Sequence, residues 1–153
     1  MNLILWRHAE AHELREGDDD LGRTLTAKGE KQAKRMGQWL DRQLPDLTRI
    51  LVSPARRTEQ TAIALGRKFK IRPELAPGGT VAQLLELAQW PDEKATVLVV
   101  GHQPMLGQTI SQLLGLSARE CAVRRGGVWW LRSRERDALQ QTVVVTVQSP
   151  DVL

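Results

Sequence analysis

Cysteine, aromatic side chains and long apolar runs are all scarce in this sequence of 153 residues. Cys121 is the only cysteine, so no disulfide can form within the chain, which is typical of a reducing compartment and predicts a cytoplasmic protein. Apolar runs such as residues 3–6 and 97–100 fall far short of the about 20 residues that span a membrane. Because no basic region precedes the first run, we expect neither a signal peptide nor a membrane partner.

A strong imbalance of charge is also missing, although the sequence pI of about 9.7 raises the question of nucleic-acid binding. The chain has 22 Lys and Arg against 18 Asp and Glu, a formal net charge of +4, and the basic residues form no tail. Five Trp and one Phe are its only aromatic residues, and they do not alternate with basic residues as a base-stacking surface would require. We therefore expect no nucleic-acid partner.

The remaining composition, 41% apolar and 26% charged, is that of an ordinary globular protein. A chain of this length buries about 68–70% of the surface of its unfolded form, so it needs neither disulfides nor metals for stability. We expect one domain over residues 1–153, acting as a monomer.

Apolar segments along the chain have lengths and boundaries that predict strands and helices in turn. Strands are predicted at residues 3–6, 49–52, 72–75, 96–100, 128–131 and 142–148, and helices at 26–44, 53–69, 80–90 and 105–114. This alternation predicts a three-layer α/β/α sandwich around a mostly parallel sheet. Only a charged turn at 134–137 separates the last two strands, so we expect an antiparallel pair at the edge of the sheet.

The first predicted helix has a distinct start and a distinct buried face. Thr26 is a suitable N-cap, and apolar residues recur after it at helical spacing. Lys28, Lys31 and Arg35 lie on another face, which we interpret as solvated surface.

Three strand-to-helix junctions carry residues of catalytic type. Arg7 and His8 follow the first strand, residues 53–57 follow the second, and Gly101 and His102 follow the strand at 96–100. In open α/β sheets ligands bind beyond the carboxyl ends of the strands, so we expect the three junctions to converge on one site.

The residues expected there suit a phosphoryl group or another oxyanion. Arg7 and Arg57 can each give bidentate hydrogen bonds to phosphoryl oxygens, and the motifs place no carboxylate that must pair with them. A helix that opens at Ser53 would add free N–H groups near the same anion. Arg23, from the loop before the first helix, is a third candidate contact.

The two histidines extend this prediction from binding to catalysis. A neutral imidazole can accept a phosphoryl group covalently, and the flanking arginines disfavour the charged form of His8. His102 would then donate to the phosphoryl oxygens in transfer. The alternative is a pair of histidines with a purely structural role at strand ends.

Four motifs resemble, in order and spacing, the histidine phosphatase superfamily, also called phosphoglycerate mutase-like. They are Arg7-His8-Ala9, the segment 23–29 (RTLTAKG), the segment 53–61 (SPARRTEQT) and Gly101-His102. Ala9 stands where the family has glycine. The resemblance implies the phosphoglycerate mutase-like fold, no cofactor or metal, and Arg7, His8, Arg57 and His102 as catalytic residues, with Arg57 rather than Arg56 as the second arginine.

Within the superfamily the short chain looks most like the SixA branch, small phosphohistidine phosphatases that act on signalling proteins. Only 44 residues separate Arg57 from His102, which leaves little room for the acid-bearing insertion of larger relatives. Phosphohistidine has a leaving group that departs without a strong acid, which favours N–P over O–P substrates. The resemblance implies a histidine-phosphotransfer-like phosphoprotein as the substrate. The remaining candidate substrate contacts are Ser53, Asp20 and Glu10.

Two other functions stay open: a phosphomonoesterase for small phosphometabolites, and a phosphoprotein-binding module without catalysis. Two other enzyme classes are excluded. His8 and His12 lack the glutamate position of a zinc-protease helix, and the sixth residue after Cys121 is Gly127 instead of the arginine of cysteine phosphatases.

Overall fold

Six strands and four α-helices alternate along the computed structural model, which describes residues 1–153. The strands are β1 (Asn2–Arg7), β2 (Arg49–Val52), β3 (Lys70–Ile71), β4 (Val97–Gly101), β5 (Val128–Arg136) and β6 (Leu139–Gln148). The helices are α1 (Ala27–Gln43), α2 (Arg56–Ile63), α3 (Val81–Ala88) and α4 (Met105–Leu114). Short 3-10 helices lie at Asp20–Gly22, Pro73–Leu75 and Pro150–Val152.

All six strands form one mixed sheet in the order β3-β2-β4-β1-β5-β6. The first four strands in this order are parallel, whereas β5 runs antiparallel to β1 and β6 antiparallel to β5. Every residue of the central strand β4 is buried, as expected for a parallel strand that is covered on both faces. The predicted mostly parallel sheet with an antiparallel edge is confirmed.

Helices cover both faces of the sheet, since alternate residues of each strand pack into different clusters. On one face Leu3, Leu5, Val97 and Val99 pack with residues of α3 and α4, among them Leu84 and Ile110. On the other face Ile4, Trp6, Leu98 and Val100 pack with residues of α1 and α2, among them Met36, Leu40 and Ala62. This is the predicted three-layer arrangement. No helix combines the length and the apolar character needed to cross a membrane.

Helix α1 begins as predicted, but α2 does not. The Thr26 hydroxyl accepts a hydrogen bond from Gly29 N–H, the expected N-cap. Helix α2 begins at Arg56 after Ala55, which makes no side-chain cap, and it ends at Ile63 instead of reaching residue 69. Gly66 has a φ of +79°, a left-handed conformation that is typical just after a helix, and this explains why α2 ends before residue 69.

Two further boundaries differ from the prediction. Residues 73–75 form a 3-10 helix, and the short edge strand precedes them as Lys70–Ile71, because Pro73 has no N–H for the ladder. The charged segment 134–137 is not a turn over most of its length, since β5 extends to Arg136. The turn consists of Asp137 and Ala138, both with positive φ, which is the geometry of a two-residue hairpin loop.

Gly29 in α1 provides a test of how this helix packs near the end of β1. A Cβ at position 29 would overlap the backbone carbonyl of Glu10, whereas a Cβ at Gly22 would meet nothing within 4 Å. We expect Gly29→Ala to lower the free energy of unfolding in urea by about 1–3 kcal/mol. The matched variant Gly22→Ala should change it by no more than about 0.5 kcal/mol. Equal effects of the two variants would contradict the close packing of α1 on Glu10.

Candidate active site

The three junctions named from the sequence lie side by side at the carboxyl edge of β1, β2 and β4. Backbone hydrogen bonds join them: His8 N–H donates to Gly101 O at 3.1 Å, and Ser53 N–H donates to Val100 O at 3.1 Å. These contacts follow from the parallel register, in which Arg7 is opposite Gly101. The sheet therefore brings together residues that are far apart in the chain.

A small cavity of about 230 Å³ opens at this edge. Five of the residues predicted for the site line it: Arg7, His8, Arg23, Arg57 and His102. Ala11, Pro77, Gln103 and Arg125 complete the lining, so four arginines and two histidines surround the space and no carboxylate does.

His8 is 8% exposed, and its ring is oriented by a backbone carbonyl. Its Nδ1 lies 2.7 Å from Ala9 O. A carbonyl oxygen can only accept, so Nδ1 carries the proton and Nε2 keeps a free lone pair. The next backbone N–H, of Ala9, donates to the Thr61 hydroxyl at 3.1 Å, and this ties the loop after β1 to α2.

Burial and nearby positive charge keep the His8 ring neutral. Burial, followed by the charges of Arg57, Arg7 and Arg23, lowers the pKa of His8 from 6.5 to about 4, although the Ala9 carbonyl acts in the opposite direction. Sequence reasoning attributed this neutrality to the arginines, but burial is the larger cause.

His102 contacts Ser53, which the sequence analysis named as a candidate substrate contact. Ser53 Oγ lies 2.6 Å from His102 Nε2, and Ser53 is fully buried, so its hydroxyl contacts the histidine and does not line the cavity. The ring centroids of His102 and His8 are 5.3 Å apart. Burial, and then the charges of His8 and Arg57, lower the pKa of His102 to about 3.

Asp20 is paired with two of the arginines, Arg23 and Arg57, a pairing that the sequence did not indicate. The nearly buried Arg57 donates from Nη1 to Asp20 O at 2.7 Å and from Nη2 to Asp20 Oδ2 at 3.2 Å. Arg23 Nε donates to Asp20 Oδ1 at 3.0 Å. Burial raises the pKa of Asp20, but Arg57 and Arg23 outweigh it and hold this pKa below its ordinary value. Asp20 thus positions both guanidinium groups.

Three buried nitrogens of cavity-lining residues have no hydrogen-bond partner in the protein. They are Arg7 Nε, Arg57 Nε and His102 Nδ1. An unpaired buried donor costs about 1–3 kcal/mol, and such groups in native proteins call for an explanation. A tetrahedral oxyanion, with several acceptor oxygens, is the kind of ligand that this set of donors suits.

Arg125 lines the cavity and Glu10 contacts Arg125, but of these two residues the sequence predicted only Glu10 for the site. Glu10 Oε1 accepts from the Thr26 hydroxyl at 2.9 Å and its Oε2 lies 3.6 Å from Arg125 Nη1, and Glu10 is not among the residues that line the cavity. Arg125 precedes Gly126, whose N–H donates to His8 O at 3.0 Å. The missed signal is topological: an antiparallel strand beside β1 begins at the edge where β1 ends.

No group of three or more His, Cys, Asp or Glu side chains is arranged to hold a metal ion. The charged and titratable groups that line the cavity are guanidinium and imidazole groups.

Comparison with known proteins agrees with this geometry. Residues 3–78 match the model of the histidine phosphatase superfamily (branch 1). A phosphohistidine phosphatase SixA homolog of Haemophilus influenzae is 35% identical over 131 residues, which cover 75% of this chain and 78% of the relative. The chain belongs to the histidine phosphatase superfamily.

Other members of the superfamily support a SixA-like assignment. The phosphohistidine phosphatase SixA of Escherichia coli is 31% identical over 121 residues, 74% of each chain. The structure of the protein histidine phosphatase SixA complexed with tungstate superposes with a TM-score of 0.82 at 25% identity and covers 99% of both chains. The present chain is thus a SixA-like hydrolase of the histidine phosphatase superfamily.

The lowered histidine pKa values predict how the stability of this phosphatase depends on pH. An unfolded histidine binds its proton near pH 6.5, whereas folded His8 binds one only near pH 4. Between these values the unfolded state holds more protons, so the free energy of unfolding should fall as the pH drops from 7 to 5. Urea denaturation at several pH values measures this slope.

Two variants separate His8 from the other titrating groups. His8→Asn should make the slope between pH 7 and 5 shallower, while His12→Asn, at an exposed position, controls for the loss of one histidine. A free energy of unfolding that stays constant over this range in the unmodified protein would contradict the buried, neutral rings.

Proposed function

We propose that this protein is a phosphohistidine phosphatase that removes the phosphoryl group from a protein histidine through a covalent phospho-His8 intermediate. One observation carries the proposal: Nδ1 of the buried, neutral His8 is bound to Ala9 O at 2.7 Å, which leaves Nε2 as a nucleophile beside the arginine-lined cavity.

The reaction has two displacements at phosphorus. In the first, His8 Nε2 attacks, a new N–P bond forms, and the N–P bond to the substrate histidine breaks as that imidazole takes a proton from water. In the second, water attacks phospho-His8, its proton passes to solvent, and phosphate leaves. The Ala9 carbonyl, which accepts from Nδ1–H, stabilises the positive charge that the phosphorylated ring carries.

The arginines supply the electrostatic part of catalysis. Phosphoryl transfer needs positioning and neutralisation of the equatorial oxygens, and the half-buried Arg7 and the buried Arg57 are the cations that provide them. Asp20 holds Arg57 and Arg23 in place from the side, with no carboxylate inside the cavity to repel the phosphoryl group.

His102 acts as a donor to a phosphoryl oxygen. Ser53 Oγ accepts from Ala55 N–H at 3.3 Å, so its own proton is free to point at His102 Nε2, 2.6 Å away. When the hydroxyl donates in this way, the ring proton of neutral His102 lies on Nδ1, which has no partner in the protein. Ser53 is in this account a positioning residue for His102.

The lack of a carboxylic acid in the cavity lining supports a substrate with an N–P bond. An alkoxide needs a positioned acid, worth about 10²- to 10⁴-fold in rate, and no carboxylic acid lines the cavity. Glu74, which lies in the span where larger relatives carry their acid, is instead paired with Arg72 at 3.0 Å. A phosphoramidate bond to imidazole breaks without such an acid, so the lining favours N–P over O–P substrates.

The size of the cavity supports a protein substrate. Its volume of about 230 Å³ is below the about 300–1,000 Å³ typical of small-molecule sites, which favours a phosphoryl group whose carrier stays largely outside. Phosphohistidine on a protein surface meets this condition because the rest of the substrate stays outside. The SixA relatives, one of them complexed with the oxyanion tungstate, support the same function.

The proposed function is tested by comparing a histidine-phosphorylated protein with a simple phosphomonoester. We expect kcat/KM for the phosphohistidine protein to exceed that for the ester by at least about 100-fold, the lower bound of the missing acid's contribution. A preference for the ester would assign the protein to small phosphometabolites. Binding of the phosphoprotein without any turnover would make it a binding module.

The intermediate is tested by rapid quench into base, where phosphohistidine survives. Label from the phosphohistidine protein should appear on His8 as acid-labile phosphate, and His8→Ala should abolish both label and turnover because the nucleophile is gone. Label on another residue, or hydrolysis that persists in His8→Ala, would exclude the covalent mechanism.

Neighbouring arginines in α2 provide a matched pair. The Arg57 side chain is 4% exposed and lines the cavity, whereas that of Arg56 is 47% exposed and pairs with Glu59. Arg57→Ala should lower kcat by about 10²- to 10³-fold, as expected for loss of a group that stabilises charge in the transition state, and Arg56→Ala should have little effect. The reverse order in steady-state kinetics would contradict the assignment.

A further inference from the structure

Five exposed cations form a continuous basic surface beside the cavity. It consists of Lys28, Lys31 and Arg35 on α1, with Arg124 and Arg125 from the loop before β5. The sequence indicated only a solvated helix face for the first three. The structure adds two arginines from a segment about ninety residues further along the chain.

Side-chain and backbone contacts bring α1 and this loop together. Gln32 of α1 accepts from Glu10 N–H at 2.9 Å, and Gly126 packs against Gln32 and Pro150. Arg35 donates to Pro150 O at 3.2 Å, and Arg124 lies 3.8 Å from Asp151. The α1 cations and the loop arginines thus flank the same chain terminus.

The basic surface reaches the active site through Arg125. This residue lines the cavity together with Arg7 and His8, and its charge, after burial, lowers the pKa of Arg7. A ligand that fills the cavity and extends past Arg125 would therefore contact the basic surface.

The positive charge of this surface is only partly compensated. Its two paired acidic neighbours are Asp151 and Glu10, so the five cations outnumber these carboxylates by about three charges. The surface that adjoins the cavity at Arg23 is mixed and slightly acidic, with Glu13, Asp18 and Asp19 against Arg15 and Arg23. The two flanks of the site thus differ in sign, and such an arrangement orients a charged partner.

We propose that the basic surface binds an acidic face of the phosphoprotein substrate, so that acidic residues of the partner lie over α1 while its phosphohistidine occupies the cavity. This inference rests on the proposed function and adds how the substrate is recognised. Exposed cations beside a site raise association rates by about 10- to 10³-fold, and the effect weakens with salt.

The test uses two phosphohistidine peptides of equal length, one with glutamates on both sides of the phosphohistidine and one with lysines at the same positions. Phosphoramidate serves as the small substrate without flanking charge. The variant Lys28→Glu/Lys31→Glu reverses two charges outside the cavity. Its matched control, Lys68→Glu/Lys70→Glu, makes the same change at exposed positions in and just before β3, the strand at the edge of the sheet opposite β5 and β6.

We expect the unmodified protein to prefer the glutamate peptide by at least about tenfold in kcat/KM at low salt. The Lys28→Glu/Lys31→Glu variant should lose this preference, while its phosphoramidate turnover stays unchanged. The Lys68→Glu/Lys70→Glu control should keep the preference.

Three outcomes would contradict the role of the basic surface without contradicting the proposed function. They are equal turnover of both peptides by the unmodified protein, an equal loss of the glutamate preference in both double variants, or a loss of turnover that extends to phosphoramidate. Binding of a DNA duplex that the reversal abolishes, with peptide turnover unchanged, would assign the surface to nucleic acid instead. If the unmodified protein hydrolyses neither peptide nor phosphoramidate, the proposed function itself fails.

Discussion

The parallel pairing of β4 with both β1 and β2 is the constraint on which the site depends. It sets the carboxyl ends of three strands at one edge, with Arg7 opposite Gly101 and Val52 opposite Val100. His8 and His102 come together because each is the first residue beyond its strand in this register. A slip of one residue would turn the side chains of a strand to its other face and separate the pair.

Burial gives the site its electrostatic character. Water is excluded from two imidazoles and from much of Arg7 and Arg57, so both rings are neutral while the guanidinium groups stay charged. Asp20 offsets part of the repulsion between Arg57 and Arg23 without entering the cavity. The unpaired nitrogens that remain represent a cost to folding that an oxyanion would offset on binding.

Substrate recognition divides between the cavity and its surroundings. The cavity is small and without carboxylates, and this suits a phosphoryl group on a good leaving group. In the proposed function, discrimination among phosphorylated partners comes from outside the cavity, where one flank is basic and the other slightly acidic. Arg125, in the loop before β5, belongs both to the cavity lining and to the basic surface.

Local pattern alone determined β1, β2, β4, the Thr26 cap and the end of α4 at Gly115, because these features depend on neighbours within a few residues. The order of the motifs likewise determined the family. Tertiary structure decided the rest: Ser53 contacts His102 and does not cap α2, Asp20 pairs with Arg57, 37 residues away, and Arg125 reaches the cavity. Those partners are chosen by the order of strands in the sheet, which brings distant segments together and which no local periodicity encodes.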